Sequence, residues 1–379
     1  MKNLLYQTIF VSDKFWSLSS AVLCLILMMP LISVIYLALE SNWDVWGHLI
    51  ETSLFHYFKA TGLLLIGVAI IVFLIGVGTA WLVTMYDFPL KSSFEWFLIF
   101  PLAFPSYVVA YAYTDLLEFS GFIQSTLRAL FDWGVGDYWF PEIRSLTGAS
   151  IVMGFVLYPY VYLLARAAFL EHSVSALEAN RVLGGGPINT FISVALPSAR
   201  PAIIVGMSLA LMETMNDYGT VDFFAIPTLT VGLIDIWLGM NSLSSAAQIA
   251  SLMLSIVLVL LLIEQISRAN QKLYQQGSSR FSKLPIVKLQ GFKSFCAFIF
   301  CAIPVVIGFI IPIAILIRLS VLYFTKTWTD DFLVQIGNSI LLSSIAALVV
   351  IVISLFLGYG KRLTQNRAIK IIISISKFG

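Results

Sequence analysis

The stretch EHSVSALEANRVLGGGPINTFISVALPSAR, Glu171 to Arg200, is a polar interval between two long apolar runs. A helix over residues 175–183 places Ala176, Ala179, Val182 and Leu183 on one face and is stopped by Gly184, Gly185 and Gly186. Pro187, a favoured first-turn residue, opens a second short helix with Ile188, Phe191 and Ile192 on its apolar face. Leu196-Pro197 and Pro201 are expected to turn the chain back into the next apolar run. The pattern predicts a compact helix-turn-helix at a membrane surface, shaped to enter a cleft of a soluble partner.

Outward from this segment, the composition is that of a membrane protein. Of 379 residues 59% are hydrophobic and 11% charged, against about 25% charged in soluble domains. A soluble enzyme, a nucleic-acid binder and a disordered regulator are thereby disfavoured. Eight apolar runs are long enough to span a bilayer, at about Trp16–Leu39, Thr61–Thr84, Trp96–Leu117, Gly148–Leu170, Pro201–Gly219, Ser245–Ser267, Phe295–Ser320 and Asn338–Gly360. A ninth begins near Ile369. The first is too long for a signal-peptide core and precedes no small-residue cleavage pattern, so it is expected to be retained. The chain is thus predicted to be an all-α polytopic membrane protein. Cys24, Cys296 and Cys301 sit in apolar runs without CxxC spacing, which suggests neither a disulfide framework nor a zinc site.

Alternation across eight crossings lets the positive-inside rule set orientation. With a cytoplasmic N-terminus, only Lys59, Arg128, Arg144, Arg318 and Lys326 lie outside, leaving 17 of 22 basic residues inside. Acids show the opposite bias. The outer segment from Glu118 to Thr147 carries Trp133, Tyr138, Trp139 and Phe140, as a loop on the membrane interface would. Arg268 to Lys293 holds six basic and no acidic residues around Gly277, Ser278 and Ser279, and reads as a solvated cytoplasmic linker.

The linker separates two related parts. A shift of 278 residues lays Ala60-Thr61 over Asn338-Ser339 and Gly76–Trp81 over Ser354–Tyr359, and each copy continues into a polar inner turn. The predicted organisation is a first repeat over 1–267, a basic linker over 268–294 and an incomplete second repeat over 295–379. A complete second copy would continue for about 165 residues more. The expectation is a C-terminally truncated product, with a separately encoded C-terminal half as a candidate partner.

The quoted stretch also carries a resemblance. Glu178-Ala179-Asn180, three residues, Gly184, nine residues, Val194, one residue and Leu196-Pro197 resembles the EAA loop of permease subunits of binding-protein-dependent ABC importers. The family has Ala and Ile where this chain has Asn180 and Val194. Tyr158-Pro159-Tyr160 before the loop, and Met212-Glu213-Thr214 with Asp217-Tyr218-Gly219-Thr220 after it, look like the fused two-repeat ferric iron permeases. Thiamine, polyamine and sulfate permeases share parts of the architecture. The resemblance implies a type I ABC importer permease (MetI-like) fold of two tandem repeats, in the bacterial inner membrane. It implies that Glu178, Ala179, Gly184, Leu196 and Pro197 are contact and hinge positions for an ABC ATPase subunit, itself a homodimer, and that a periplasmic binding protein delivers substrate. Fused permeases carry a second EAA loop, which this chain lacks. The sequence has no Walker A pattern, so ATP would be used by the partner ATPase and no cofactor is bound by this chain.

Glu213 lies 12 residues beyond Pro201, about 18 Å along a helix and near mid-bilayer. A carboxylate there is a functional-site candidate. With Asp217 one turn on and Tyr218 beside it, it could line a cation pathway; equally, it could be a helix-packing site. His48, His56 and His172 are scattered, so no metal site is expected, and Tyr158, Tyr160 and Tyr162 read as packing aromatics. A secondary transporter is the competing class, and a membrane enzyme finds no collected catalytic groups.

Overall fold

The computed structural model describes residues 13–40, 43–171, 180, 184–274 and 286–363. Glu178, Ala179, His172 and the ninth apolar run lie outside the described residues. The helices are α1 Asp13–Ala38, α2 Trp43–Thr52, α3 Leu54–Met85, α4 Lys91–Phe97, α5 Ser106–Leu117, α6 Phe122–Phe131 and α7 Leu146–Glu171. There follow α8 Pro187–Thr190, α9 Leu196–Asn216, α10 Tyr218–Phe223, α11 Leu229–Ile234, α12 Leu243–Tyr274, α13 Gly291–Val305, α14 Ile311–Thr327 and α15 Asp330–Leu363. Two-residue strands β1 (Tyr86–Asp87) and β2 (Val287–Lys288) pair in parallel.

Seven described helical runs are long and apolar enough to span: Trp16–Ala38, Leu54–Met85, Leu146–Leu170, Pro187–Asn216, Leu243–Ser267, Gly291–Lys326 and Asp330–Leu363. The run expected as one helix over Trp96–Leu117 is broken instead: Lys91–Ala103 and Ser106–Phe131 meet at 90°. Prolines explain the break. Pro101 lies in a tight 3-10 turn over Phe100–Ala103, and Pro105 is extended ahead of α5. Two ion pairs show that the broken run still crosses. Glu95 pairs with Arg166 at 2.7 Å and Glu118 with Arg144 at 3.2 Å, and those arginines bracket α7, which is about 30 Å long between them. The chain therefore passes from one end of α7 to the other between Glu95 and Glu118, which makes an eighth crossing.

A second expectation is corrected at Leu196-Pro197 and Pro201. They do not turn the chain; Pro187 to Asn216 is one helical run. A π turn over Phe191–Ala195 widens the helix just before Pro197, which falls in the first turn of α9, where its missing N–H costs no hydrogen bond. A similar π turn over Val306–Ile310 separates α13 from α14.

The chain forms two compact units, and these do not divide at the basic linker. One comprises Met1–Ser41 and Ser320–Gly379. In it Cys24 and Leu357 are buried together, and Trp16 packs 4.9 Å from Phe356 and 5.4 Å from Tyr359.

The other unit, Asn42–Leu319, is built around α7. Its core joins Leu64, Val68 and Val72 of α3 to Val152, Val156 and Tyr158 of α7, with Ile203 of α9 and Cys301 of α13. Apolar transfer does not drive helices together in lipid, so close packing must, and small residues permit it. A Cβ on Gly76 would lie 2.7 Å from Val161 Cβ, and one on Gly206 2.8 Å from Val161 Cα and 2.9 Å from the Tyr160 carbonyl oxygen. The backbones of α7 and α9 touch at Gly206. α13 belongs to the same body, with Phe298 5.5 Å from Phe94 and Phe300 against Gly78. Tyr158 and Tyr162 are fully buried, as packing residues are.

Candidate functional site

The described part of the stretch, Asn180 and residues 184–200, forms a knob at the Arg166 end of α7. Gly184 adopts φ +86°, a left-handed conformation that suits glycine. The Gly185 N–H donates to the Asn180 carbonyl at 2.9 Å, and Asn180 Nδ2 donates to Thr190 Oγ1 at 2.8 Å. Thr190 Oγ1 in turn donates to the Gly186 carbonyl at 3.0 Å. Asn180, where this chain departs from the family pattern, thus fixes the start of α8.

The three residues expected on one apolar face divide. Phe191 turns inward, 5.1 Å from the Trp81 ring and 6.5 Å from Phe169. Ile188 and Ile192 turn outward, 74% and 56% exposed. Leu196 packs on the core while Ala195 and Ala199 are buried, so the root of the knob is rigid and its tip is apolar and open. Pro197 is half-buried one residue further along α9, and Gly184 is exposed.

Two features beside the knob are not foretold by the sequence reasoning. Glu95 of α4 pairs with Arg166, and its carbonyl accepts the Tyr162 hydroxyl at 3.1 Å. The signal was available: an acid in the polar turn facing the one arginine in a tyrosine-rich helix. Nearby, β1 and β2 join the turn after α3 to the segment after the basic linker, closed by Leu289 N–H donating to the Asp87 carbonyl at 2.9 Å. Replacing Arg166 with alanine leaves Glu95 half-buried and unpaired. The expected cost is about 1–2 kcal/mol, between exposed and buried pairs, read as a lower thermal midpoint that Glu95→Gln in the same chain partly restores.

At the other end, Glu213, Asp217 and Tyr218 do not share a helix face. α9 stops at Asn216, and Asp217 is extended and caps α10, accepting from Thr220 N–H at 2.8 Å and Thr220 Oγ1 at 2.6 Å. A capping carboxylate is a local stop signal, which is why the helix does not carry Asp217 onward. Tyr218, the first residue of α10, is exposed. Glu213 is exposed on α9. It lies seven residues beyond the crossing at Gly206, about 10 Å nearer the Arg144 end, which puts it level with about the middle of α7.

The segment beyond α9 folds over this end. Thr230 Oγ1 donates to the Met215 carbonyl at 2.7 Å, Leu229 N–H donates to Thr61 Oγ1 at 2.9 Å, and the Arg144 guanidinium stands 4.9 Å from the Phe223 ring. Among the described residues no three His, Cys, Asp or Glu side chains gather as a metal site.

The arrangement, an apolar knob at one end of a tightly packed helix group and an acidic, capped hairpin at the other, suits a device that links a surface contact to a membrane path. Residues 72–273, from within α3 to within α12, match the family described as the binding-protein-dependent transport system inner membrane component. The chain is 27% identical to the sulfate transport system permease protein CysT of Salmonella typhimurium over 203 residues, 53% of this chain and 70% of that protein. It is 28% identical to the molybdenum transport system permease protein ModB of Escherichia coli over 196 residues, 50% of this chain and 82% of that one. The Fe(3+)-transport system permease protein FbpB 2 of Haemophilus influenzae is 24% identical over 299 residues, 78% of this chain and 54% of the relative.

Proposed function

From the premise that the chain belongs to the binding-protein-dependent transport system inner membrane components, we propose that it moves ferric iron through a path closed and opened by a separate ATPase. As a member of that family it is a permease subunit of an ABC importer, a transport subunit rather than an enzyme. ATP binds to the ATPase partner, a homodimer, and a periplasmic binding protein delivers the substrate. The Arg166 end of α7 is the cytoplasmic one.

The observation that carries the coupling is the knob: an exposed Ile188 and Ile192 tip on a root locked into α3, α7 and α9. A push on such a tip moves α9 as a unit. In this scheme Glu178, Ala179 and Gly184 belong to the ATPase contact, while Leu196 and Pro197 transmit its movement.

For the substrate, the ferric iron relative matches past residue 273, over 78% of this chain, and Glu213 favours a cation. Sulfate or molybdate is the second candidate, carried by the likeness to CysT and ModB. Uptake of labelled ferric iron, sulfate and molybdate by cells with and without the gene tests the choice. Ferric iron uptake that depends on the gene is expected, and dependence of an oxyanion instead rejects the iron assignment. Glu213→Gln is expected to leave assembly intact and lower iron uptake about tenfold or more, as loss of a focusing carboxylate would; unchanged uptake rejects a pathway role.

A further inference from the structure

We propose that α6 and the aromatic turn after it, residues 122–139, lie embedded in the headgroup boundary of the bilayer, bound by lipid. The element is inside-out for a loop in water. Gln124 is 8% exposed, donates to the Leu117 carbonyl at 2.8 Å and accepts the Tyr138 hydroxyl at 2.7 Å. Arg128 donates to Tyr138 Oη and to the Phe119 carbonyl, both at 2.8 Å, with its guanidinium 4.1 Å from the Phe119 ring. The most polar side chains of α6 are therefore turned to the protein and satisfied there. Its outward hydroxyls are satisfied too: Ser125 Oγ donates to the Gly121 carbonyl at 2.7 Å and Thr126 Oγ1 to the Phe122 carbonyl at 2.6 Å.

What faces out is mainly apolar, with Asp132 and Asp137 of the turn exposed beside it and Asp137 accepting the Gly134 N–H at 2.6 Å. Leu130 is 72% exposed, Val135 82% and Trp139 86%, with Phe122 and Phe131 beside them. A docking face for a soluble protein carries a polar rim; here Gln124 and Arg128 point away from the exposed side and the outward hydroxyls of α6 bond its own backbone, which leaves the two aspartates of the turn as the polar contacts at its edge. An apolar surface of this kind, with tryptophan and tyrosine at its edge, fits the interfacial layer of a membrane. The height agrees. Glu118–Arg144 marks the end of the crossing just before α6, and Arg318 of α14 stands 5.6 Å from the Phe122 ring. The inference requires neither a particular substrate nor an ATPase, nor a choice of which side is cytoplasmic.

The full chain in phosphatidylethanolamine–phosphatidylglycerol nanodiscs provides the test. Cys24 and Cys301 are buried and Cys296 is exposed, so Cys296→Ser is the background for spin labels at Leu130→Cys and Trp139→Cys, with Glu142→Cys as the polar control. The expected result is an oxygen-to-nickel collision ratio several-fold higher at Leu130 and Trp139 than at Glu142. Ratios like that of Glu142 would place the element in water, and protection from both reagents would place a protein segment over it; either overturns the proposal. If the labelled variants do not fold, Trp139→Phe decides: it should remove a fluorescence component quenched by brominated lipid, and loss of an iodide-quenched component instead is the contrary result.

Discussion

Gly206→Val should abolish recovery of folded protein from the membrane. Even the first added carbon meets backbone, 2.8 Å from Val161 Cα and 2.9 Å from the Tyr160 carbonyl oxygen. Backbone atoms in the middle of a spanning helix cannot rotate aside as a side chain would, so α7 and α9 must separate. The expected cost is about 3 kcal/mol, and more once valine's two methyls are placed. Separation also exposes the core that both helices line, including Ile203 and Val161. The control is Gly62→Ala, where nothing lies within 4 Å of the added atom. There the usual helical preference of alanine over glycine applies, worth up to about 1 kcal/mol in the opposite direction. The measurement is the monodisperse fraction after detergent extraction, with thermal unfolding of what is recovered. A Gly206→Val chain as stable as the Gly62→Ala chain would refute the backbone contact.

Ile188→Asp should uncouple transport while leaving the membrane body folded. The side chain is 74% exposed, whereas Phe191 and Leu196 are the knob residues that pack on the core, so the substitution spares the contacts that hold the knob to the permease. If the knob seats in an ATPase groove, an isoleucine at its tip is a central apolar contact, and charging it costs about 2 kcal/mol or more, about 30-fold in affinity for the ATPase. Copurification of an ATP-hydrolysing subunit and substrate-stimulated hydrolysis should both fall, with thermal stability of the isolated permease unchanged. Ile192→Asp should act in the same direction more weakly, being the less exposed of the two. Undiminished ATPase capture by the Ile188→Asp chain would remove the knob from the coupling scheme.

The contrast between Ile188 and Phe191 shows where legibility ends. Both belong to one predicted apolar face, and periodicity cannot tell an inward phenylalanine from an outward isoleucine three residues away. Trp81 and Phe169, supplied by two other helices, decide it by packing tilted rings around Phe191. Proline is similarly ambiguous. Pro101 and Pro105 break their run by 90°, whereas Pro197 and Pro201 stay within a continuous helix because a π turn absorbs the first of them. The cap formed by Asp217 and Thr220 was readable as an Asp-x-x-Thr stop, but a pathway reading of the same carboxylate competed with it.

What the sequence alone determined is the class of the protein and the location of its principal motif. Hydropathy places the spans because lipid cannot solvate a polar backbone, and the glycine and proline pattern marks the knob because those residues constrain φ locally. What only the tertiary structure decided depends on partners remote in the chain. It pairs Glu95 with Arg166 and Glu118 with Arg144, which makes the broken run a crossing. It brings α7 and α9 into backbone contact at Gly206, and turns Gln124 and Arg128 inward on α6. Each of these is set by which helix lies alongside, and in a chain that is apolar nearly throughout, hydropathy carries little information about neighbours.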